Sequence, residues 1–272
     1  MPVYKNSFKG HPAEHFRHKK SLGQHFLIDQ DCAMRIVEAL ENTTLPVLEI
    51  GPGGGVLTQY LFPRYQQLLT AVDLDDRVAA SIPQQFPGIR FIHEDVLKVN
   101  FEQHFKGPMT IIGNFPYNIS TEIIFKVIDN RSQVVELVGM FQKEVAQRFA
   151  SKHGSKVYGV TSILTQAYYD VTYLFDVHPY QFDPPPKVMS GVIRLVRKQH
   201  ATPITDEPLF KDIVKAGFMQ RRKTLRNALR SVSHYAIEKI DAALLDKRAE
   251  QLSVEEWIAT ANLLADTSTP NN

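Results

Sequence analysis

Val47-Leu48-Glu49-Ile50-Gly51-Pro52-Gly53-Gly54-Gly55 decides the fold of this chain. The first four residues read as a buried strand, and the glycines as a loop opening a helix at Val56-Leu57-Thr58. Glycine at such a turn lets the main chain approach a ligand closely. Downstream the same unit recurs. A strand over 68–72 ends at Asp73, with a helix from Asp75. A strand over 90–93 precedes Asp95. A strand over 109–112 precedes Asn114-Phe115-Pro116-Tyr117, and a helix over 121–128 follows with Ser120 as its cap. A strand over 134–141 and a helix over 143–149 complete the series. Upstream, Asp29 or Asp31 caps a helix whose apolar positions run to Leu40. This alternation predicts an α/β fold, a parallel sheet with helices on both faces.

The pattern then changes. After a helix around 160–169, runs at 171–177 and 188–196 read as an antiparallel hairpin at the sheet edge, joined by a Pro-rich loop. That makes a mostly parallel sheet of seven strands with an antiparallel edge. Residues 198–207 are polar and contain Pro203, so they read as a linker. Amphipathic runs at 210–218 and 254–264 predict a small helical domain beyond it. The expected division is 1–200 for the α/β domain, with a basic N-terminal arm, and 201–272 for the helical one. The last residues, 267–272, read as a frayed tail.

Composition narrows the function. With 43% hydrophobic residues over 272 positions, the chain can bury a large core. No run approaches a membrane span and no apolar leader opens the sequence, so a cytoplasmic protein with no membrane partner is expected. Cys32 is the single cysteine, which excludes a disulfide and a cysteine-based metal cluster, and its spacing with Ile36 and Leu40 makes it a small core residue. No metal is expected. The net charge of +2 is unevenly spread. Residues 1–25 carry five Lys or Arg against one acid, and 213–237 carry six with no acid. Two basic segments on an acidic body point to a polyanionic partner.

Three strand ends carry the candidate chemistry. Asp73 lies about twenty residues past the glycine turn, where a carboxylate can accept both hydroxyls of a ribose. Asp95 is placed to accept from an adenine amino group. Asp75 and Asp76 compete for the helix cap, which frees Asp73 for a ligand. No Gly-Lys-Ser/Thr pattern supports a triphosphate. In the fourth turn, the Asn114 amide and nearby carbonyls can accept from an exocyclic amine. Pro116 fixes the turn, and Tyr117 offers a flat face to a base. That set suits methyl transfer to a nucleobase amine, with S-adenosyl-L-methionine as cofactor. A nicotinamide enzyme is the rival reading, and the fourth turn offers it no hydride-transfer acid.

With these pieces in hand, the chain resembles the KsgA-type small-subunit ribosomal RNA adenine dimethyltransferases. The resemblance rests on Lys19-Lys20-Ser21-Leu22-Gly23-Gln24-His25-Phe26-Leu27, on Glu49-Ile50-Gly51-Pro52-Gly53 with Leu57-Thr58, and on Gly113-Asn114-Phe115-Pro116-Tyr117-Asn118-Ile119-Ser120. It continues through Gln142-Lys143-Glu144, Phe182-Asp183-Pro184-Pro185-Pro186-Lys187-Val188 and Gln220-Arg221-Arg222-Lys223-Thr224-Leu225-Arg226-Asn227. It implies a Rossmann-like class I methyltransferase domain with a small C-terminal helical domain. It also implies N6,N6-dimethylation of two adjacent adenines in 16S rRNA of the small ribosomal subunit, and a part in subunit biogenesis. His25, Leu27, Gly51, Gly53, Asp73, Asp95 and Asn114 would hold the cofactor. Asn114 and the Pro116 carbonyl would accept from the reacting amine, and Tyr117 and Phe182 would hold the base. Arg221, Arg222, Lys223 and Arg226, in a segment expected to open or span a helix, would grip phosphates. His25 stands where Asn is common in this family, Asp73 where Glu is, and Phe115 where Leu is. A monomer is expected. A large-subunit rRNA adenine methyltransferase and a non-catalytic RNA-binding assembly factor are the alternatives.

Overall fold

The computed structural model describes residues 25–230 and 237–265. The basic arm read at 1–25 lies outside them except for His25, as does the tail at 267–272. In chain order the elements are β1 (Phe26–Leu27), α1 (Gln30–Glu38), β2 (Val47–Ile50), α2 (Thr58–Tyr65), β3 (Leu69–Asp73), α3 (Asp76–Gln85), β4 (Arg90–His93), α4 (Phe101–His104), β5 (Met109–Asn114), α5 (Ser120–Asp129) and β6 (Val134–Gln142). There follow α6 (Lys143–Ala150), α7 (Val160–Gln166), β7 (Tyr169–Val177), β8 (Phe182–Asp183), β9 (Ser190–Arg197), α8 (Glu207–Met219), α9 (Leu225–Leu229), α10 (Ala242–Leu245) and α11 (Val254–Ala265).

Seven strands form one mixed sheet in the order β4-β3-β2-β5-β6-β9-β7. The pairs β3–β4, β2–β3, β2–β5 and β5–β6 are parallel. Every residue of β2 is buried, as a central parallel strand covered on both faces requires. The order reverses between β2 and β5, so the crevice beyond their carboxyl ends is where an open sheet binds ligands. The two late strands, β7 and β9, complete the edge expected for them.

Local signals explain the helix starts. The Asp29 carboxylate accepts the Cys32 N–H at 2.7 Å and caps α1, while Cys32, Ile36 and Val37 face the core. Asp75 caps α3 through the Arg77 N–H. Ser120 does not cap α5. It is the first helical residue, the cap position falls to Ile119, and its hydroxyl donates to the Tyr117 carbonyl instead. The stretch 220–227 opens a helix only in its second half. Gln220 ends α8, a turn follows, and Thr224 begins α9.

The chain divides into two compact units: residues 1–143 with 174–194, and 144–173 with 195–272. The division passes through β7 and β9. The unit that holds the C-terminal helices therefore also holds α7 and the loop before it. Among the described residues no helix is long and apolar enough to cross a membrane.

In the first unit a buried carboxylate fastens the end of α1. Glu136 of β6 is 3% exposed; it accepts the N–H groups of Glu41 and Asn42 at 3.0 Å each and the Arg194 Nε–H at 2.7 Å. Glu136→Ala would orphan those donors. It is expected to lower unfolding stability by about 2 kcal/mol in chemical denaturation, with Arg194 partly compensated by Glu41.

Candidate active site

One crevice gathers the carboxyl ends of four strands. Gly51, Gly53, Asp73, Asp95, Asn114, Pro116 and Tyr117 all line it, and so do His25 and Leu27 from the segment ahead of α1. The segment ahead of α1 is anchored beside the crevice by the pairing of β1 with β8, Leu27 opposite Phe182 and Phe26 opposite Asp183.

The glycine turn has its expected geometry. Gly51 (φ 69°) donates its N–H to the Val72 carbonyl at 2.9 Å, tying the turn to β3. Gly53 (φ 54°) lies under the Phe26 ring, which would be 3.0 Å from a Cβ placed there. Any side chain would thus have to adopt a disfavoured backbone and push that ring aside. Beside the turn, Asp73 accepts the Asp75 N–H at 2.8 Å, and its burial pushes the carboxyl pKa up to about 6. Asp95 accepts the Leu97 N–H at 3.0 Å, and its main-chain carbonyl accepts from Lys98 and Val99. Lys126 of α5 donates to the Leu97 carbonyl at 3.0 Å and so braces that turn. Glu49, at the end of β2, lies outside the crevice. It is buried, its pKa is pushed up to about 8 by desolvation, and it takes the Thr58 hydroxyl at 2.8 Å.

In the fourth turn the Asn114 side-chain amide donates to the His25 carbonyl at 2.9 Å. That bond fixes which end of the amide is which. One Nδ2 hydrogen is committed, and Oδ1 accepts no hydrogen bond from the described residues. The Pro116 carbonyl takes the Ile119 N–H at 3.2 Å and keeps a second lone pair. Tyr117 is held on two sides. Its hydroxyl pairs with Ser190 Oγ at 2.6 Å, and its ring stacks on His25 with centroids 5.6 Å apart. Burial raises the phenol pKa, so it stays protonated. His25 Nδ1 lies 2.9 Å from the Pro184 carbonyl, a contact the imidazole must donate to.

Two aromatics of the site motifs are buried. Phe115 is 1% exposed. Gly113 and Gly139 face each other across β5 and β6, and the Phe115 ring fills the hole they leave, edge-on to Phe141 at 5.2 Å. Phe115 lines the crevice, but its ring is spent on packing and anchors the turn. Phe182, expected to stack on the target base, is 2% exposed, lies in the core and does not line the crevice. Its pairing with Leu27 turns it inward, so this arrangement leaves the base-stacking face to Tyr117.

The second unit carries the basic segment. Arg221 and Arg226 are engaged internally. The Arg221 guanidinium donates to the Lys156 and Ser155 carbonyls and faces Glu250 at 3.7 Å, and Arg226 pairs with Asp246 at 3.1 Å. Arg222 and Lys223 are exposed.

Lys126, Ser190 and the Gly113–Gly139 pair carry no mark in the sequence that ties them to the site. Ser190 sits just beyond the Pro-rich motif, and the facing of the two glycines depends on strand register.

The crevice fits a nucleoside-bearing methyl donor. It offers close main-chain approach at the glycines, a carboxylate able to accept two hydroxyls and apolar walls.

Residues 15–266 match the family model described as ribosomal RNA adenine dimethylase. Among curated proteins, ribosomal RNA small subunit methyltransferase A of Cytophaga hutchinsonii is 52% identical over 256 residues, 93% of this chain and 99% of that one. The protein of the same name from Bacteroides thetaiotaomicron is 46% identical over 248 residues, 90% of this chain and 92% of its own. Among solved structures, a dimethyladenosine transferase from Plasmodium falciparum superposes with a TM-score of 0.76 at 24% identity, covering 89% of this chain and 97% of that one. The 23S rRNA methyltransferase ErmE gives 0.70 at 24% identity, covering 88% and 99%. Both likenesses establish the class I methyltransferase fold.

Proposed function

The chain belongs to the ribosomal RNA adenine dimethylase family, and from that membership we propose that it dimethylates N6 of two adjacent adenines in 16S rRNA of the small ribosomal subunit. The enzyme is an S-adenosyl-L-methionine-dependent rRNA methyltransferase. The observation that carries the reading is the Asn114 amide, clamped by the His25 carbonyl with Oδ1 left open in the same crevice as the glycine turn and Asp73. The names of its relatives favour the small subunit over the large-subunit alternative, and the intact crevice argues against a non-catalytic factor.

When bound, S-adenosyl-L-methionine supplies an electrophilic methyl group on a positively charged sulfur. Asp73 would hold its ribose, Asp95 its adenine, and Gly51, Gly53, His25 and Leu27 the remainder. The N6 lone pair of the target adenine is delocalised into its ring, so the base is a poor nucleophile. Asn114 Oδ1 and the free lone pair of the Pro116 carbonyl would accept the two N6 hydrogens. That pairing favours a pyramidal nitrogen whose lone pair points away from the ring. The bound donor would supply its methyl group to that lone pair, and the proton displaced from N6 would leave to solvent. No dedicated base is needed. His93, a histidine at the end of a neighbouring strand, sits against the Leu74 carbonyl and Asp76 and does not line the crevice. The protein's work is positioning and electrostatic stabilisation. Tyr117, braced by Ser190 and His25, would offset part of the cost of unstacking the base, about 1–3 kcal/mol. Arg222 and Lys223, the exposed cations of the basic segment, would hold rRNA phosphates, and the protein would act as a cytoplasmic monomer with a part in subunit assembly.

Purified protein with labelled cofactor should place N6-dimethyladenine in under-modified small subunits; label confined to large-subunit RNA would reject the reading. Cofactor binding should also depend on pH. Asp73 must be ionised to accept two hydroxyls, and its pKa is raised to about 6. Protonation therefore competes with binding, and affinity should fall about tenfold per pH unit below 6. Calorimetric titration from pH 5 to 8 checks this, and Asp73→Asn should flatten the profile.

A further inference from the structure

Arg221, expected to grip phosphate, instead holds a loop. Its guanidinium donates to the Lys156 carbonyl at 2.5 Å and the Ser155 carbonyl at 3.5 Å. The same loop is tied to a third segment, because the Gly154 N–H donates to the Glu250 carbonyl at 2.6 Å. That third segment is joined to the second in turn: Thr224 bridges Arg248, and the Leu225 N–H donates to the Lys247 carbonyl at 2.7 Å. Three stretches far apart in sequence thus meet within one compact unit, and each brings exposed cations. They are Lys152 and Lys156 from the loop, Arg222 and Lys223 from the α8–α9 turn, and Arg248 from the third stretch.

The acids nearby are mostly neutralised. Glu250 faces Arg221, Asp246 pairs with Arg226, and Glu256 pairs with Lys247 at 2.7 Å and feels His153. Glu255 is the exposed exception. The five cations have no ion-pair partner among the described residues. Long exposed side chains without partners, gathered on short turns, suit the regularly spaced charges of a nucleic-acid backbone and read no sequence.

We propose that the loop of residues 151–156 is a second phosphate-contacting arm of the RNA-binding surface, with Lys152 and Lys156 as its contacts and Arg221 as the positioning residue that holds it. The inference rests on the rRNA reading above and moves the phosphate contacts away from Arg221 and Arg226, whose charges are already engaged.

The test measures binding of the full chain to small ribosomal subunits across a salt series. The Lys152→Gln/Lys156→Gln double variant should weaken binding several-fold at low salt and lower the slope of log K against log salt by about 1.5, the value for two phosphate contacts. Its cofactor affinity and melting temperature should match the wild type, and Lys→Arg at both positions should restore the slope. Arg221→Ala should lower the slope by a similar amount and should add nothing to the double variant, because it acts through the same two lysines. An unchanged slope in the double variant would overturn the proposal, and additive effects would overturn the role given to Arg221. Absence of salt-dependent binding by the wild-type chain would overturn both this surface and the rRNA reading it serves.

Discussion

Asn114→Ala is expected to reduce methyl transfer by at least about 10²–10³-fold, the cost of losing one preorganised polar group at a reacting centre. The side chain has a single arrangement because its Nδ2 is tied to the His25 carbonyl at 2.9 Å. Removing it leaves the amine without its chief acceptor and leaves that carbonyl unpaired. Affinity for small subunits should be unchanged, since the residue lies in the crevice and not on the basic surface of the other unit. Single-turnover kinetics with labelled cofactor, beside a subunit-binding assay, separates the two effects. Methyl transfer at the wild-type rate would remove the site assignment.

Gly113→Ala should injure both fold and chemistry. A Cβ at this position would lie 2.5 Å from the Ile50 carbonyl oxygen and 2.6 Å from the Phe115 ring. The carbonyl belongs to a buried central strand and cannot yield cheaply. Overpacking of this kind costs about 3 kcal/mol, visible as a lower denaturation midpoint. The added methyl would also displace Phe115 and with it Asn114, which precedes it. A shift of about 1 Å at a reacting centre can cost about 10²-fold in rate, so the residual activity should be low even where the protein is folded. A variant with wild-type stability and activity would show that the glycine pair does not hold the turn.

Much of this architecture is visible in the sequence, because strand ends and turn chemistry are local properties. The run from Val47 to Gly55 announces a strand and a ligand turn within nine residues. Asp73 and Asp95 stand out because they end apolar runs, and the acids at 75 and 76 both read as caps for the next helix, a role that falls to Asp75. The helix-cap reading of Ser120 fails for a reason of the same local scale: the turn at Pro116 tightens early, and the serine enters the helix. What is hidden depends on register. Phe115 and Phe182 are both aromatics within site motifs, and nothing in their spacing tells a ring that faces a ligand from one that plugs a hole. Only the pairing of Gly113 with Gly139, and of Leu27 with Phe182, decides it. Charge misleads in the same way. The segment from Gln220 to Asn227 is acid-free, yet two of its arginines meet acids from a distant stretch of chain.

The central claim is that one crevice joins the Asp73 carboxylate to the Asn114 amide through a donor lying between them. A crystal structure with S-adenosylhomocysteine bound tests it most directly. The account predicts both ribose hydroxyls on Asp73 and the thioether sulfur facing Asn114 Oδ1 across a space that admits a purine edge. A sulfur remote from Asn114, or a ribose with no contact to Asp73, would contradict it.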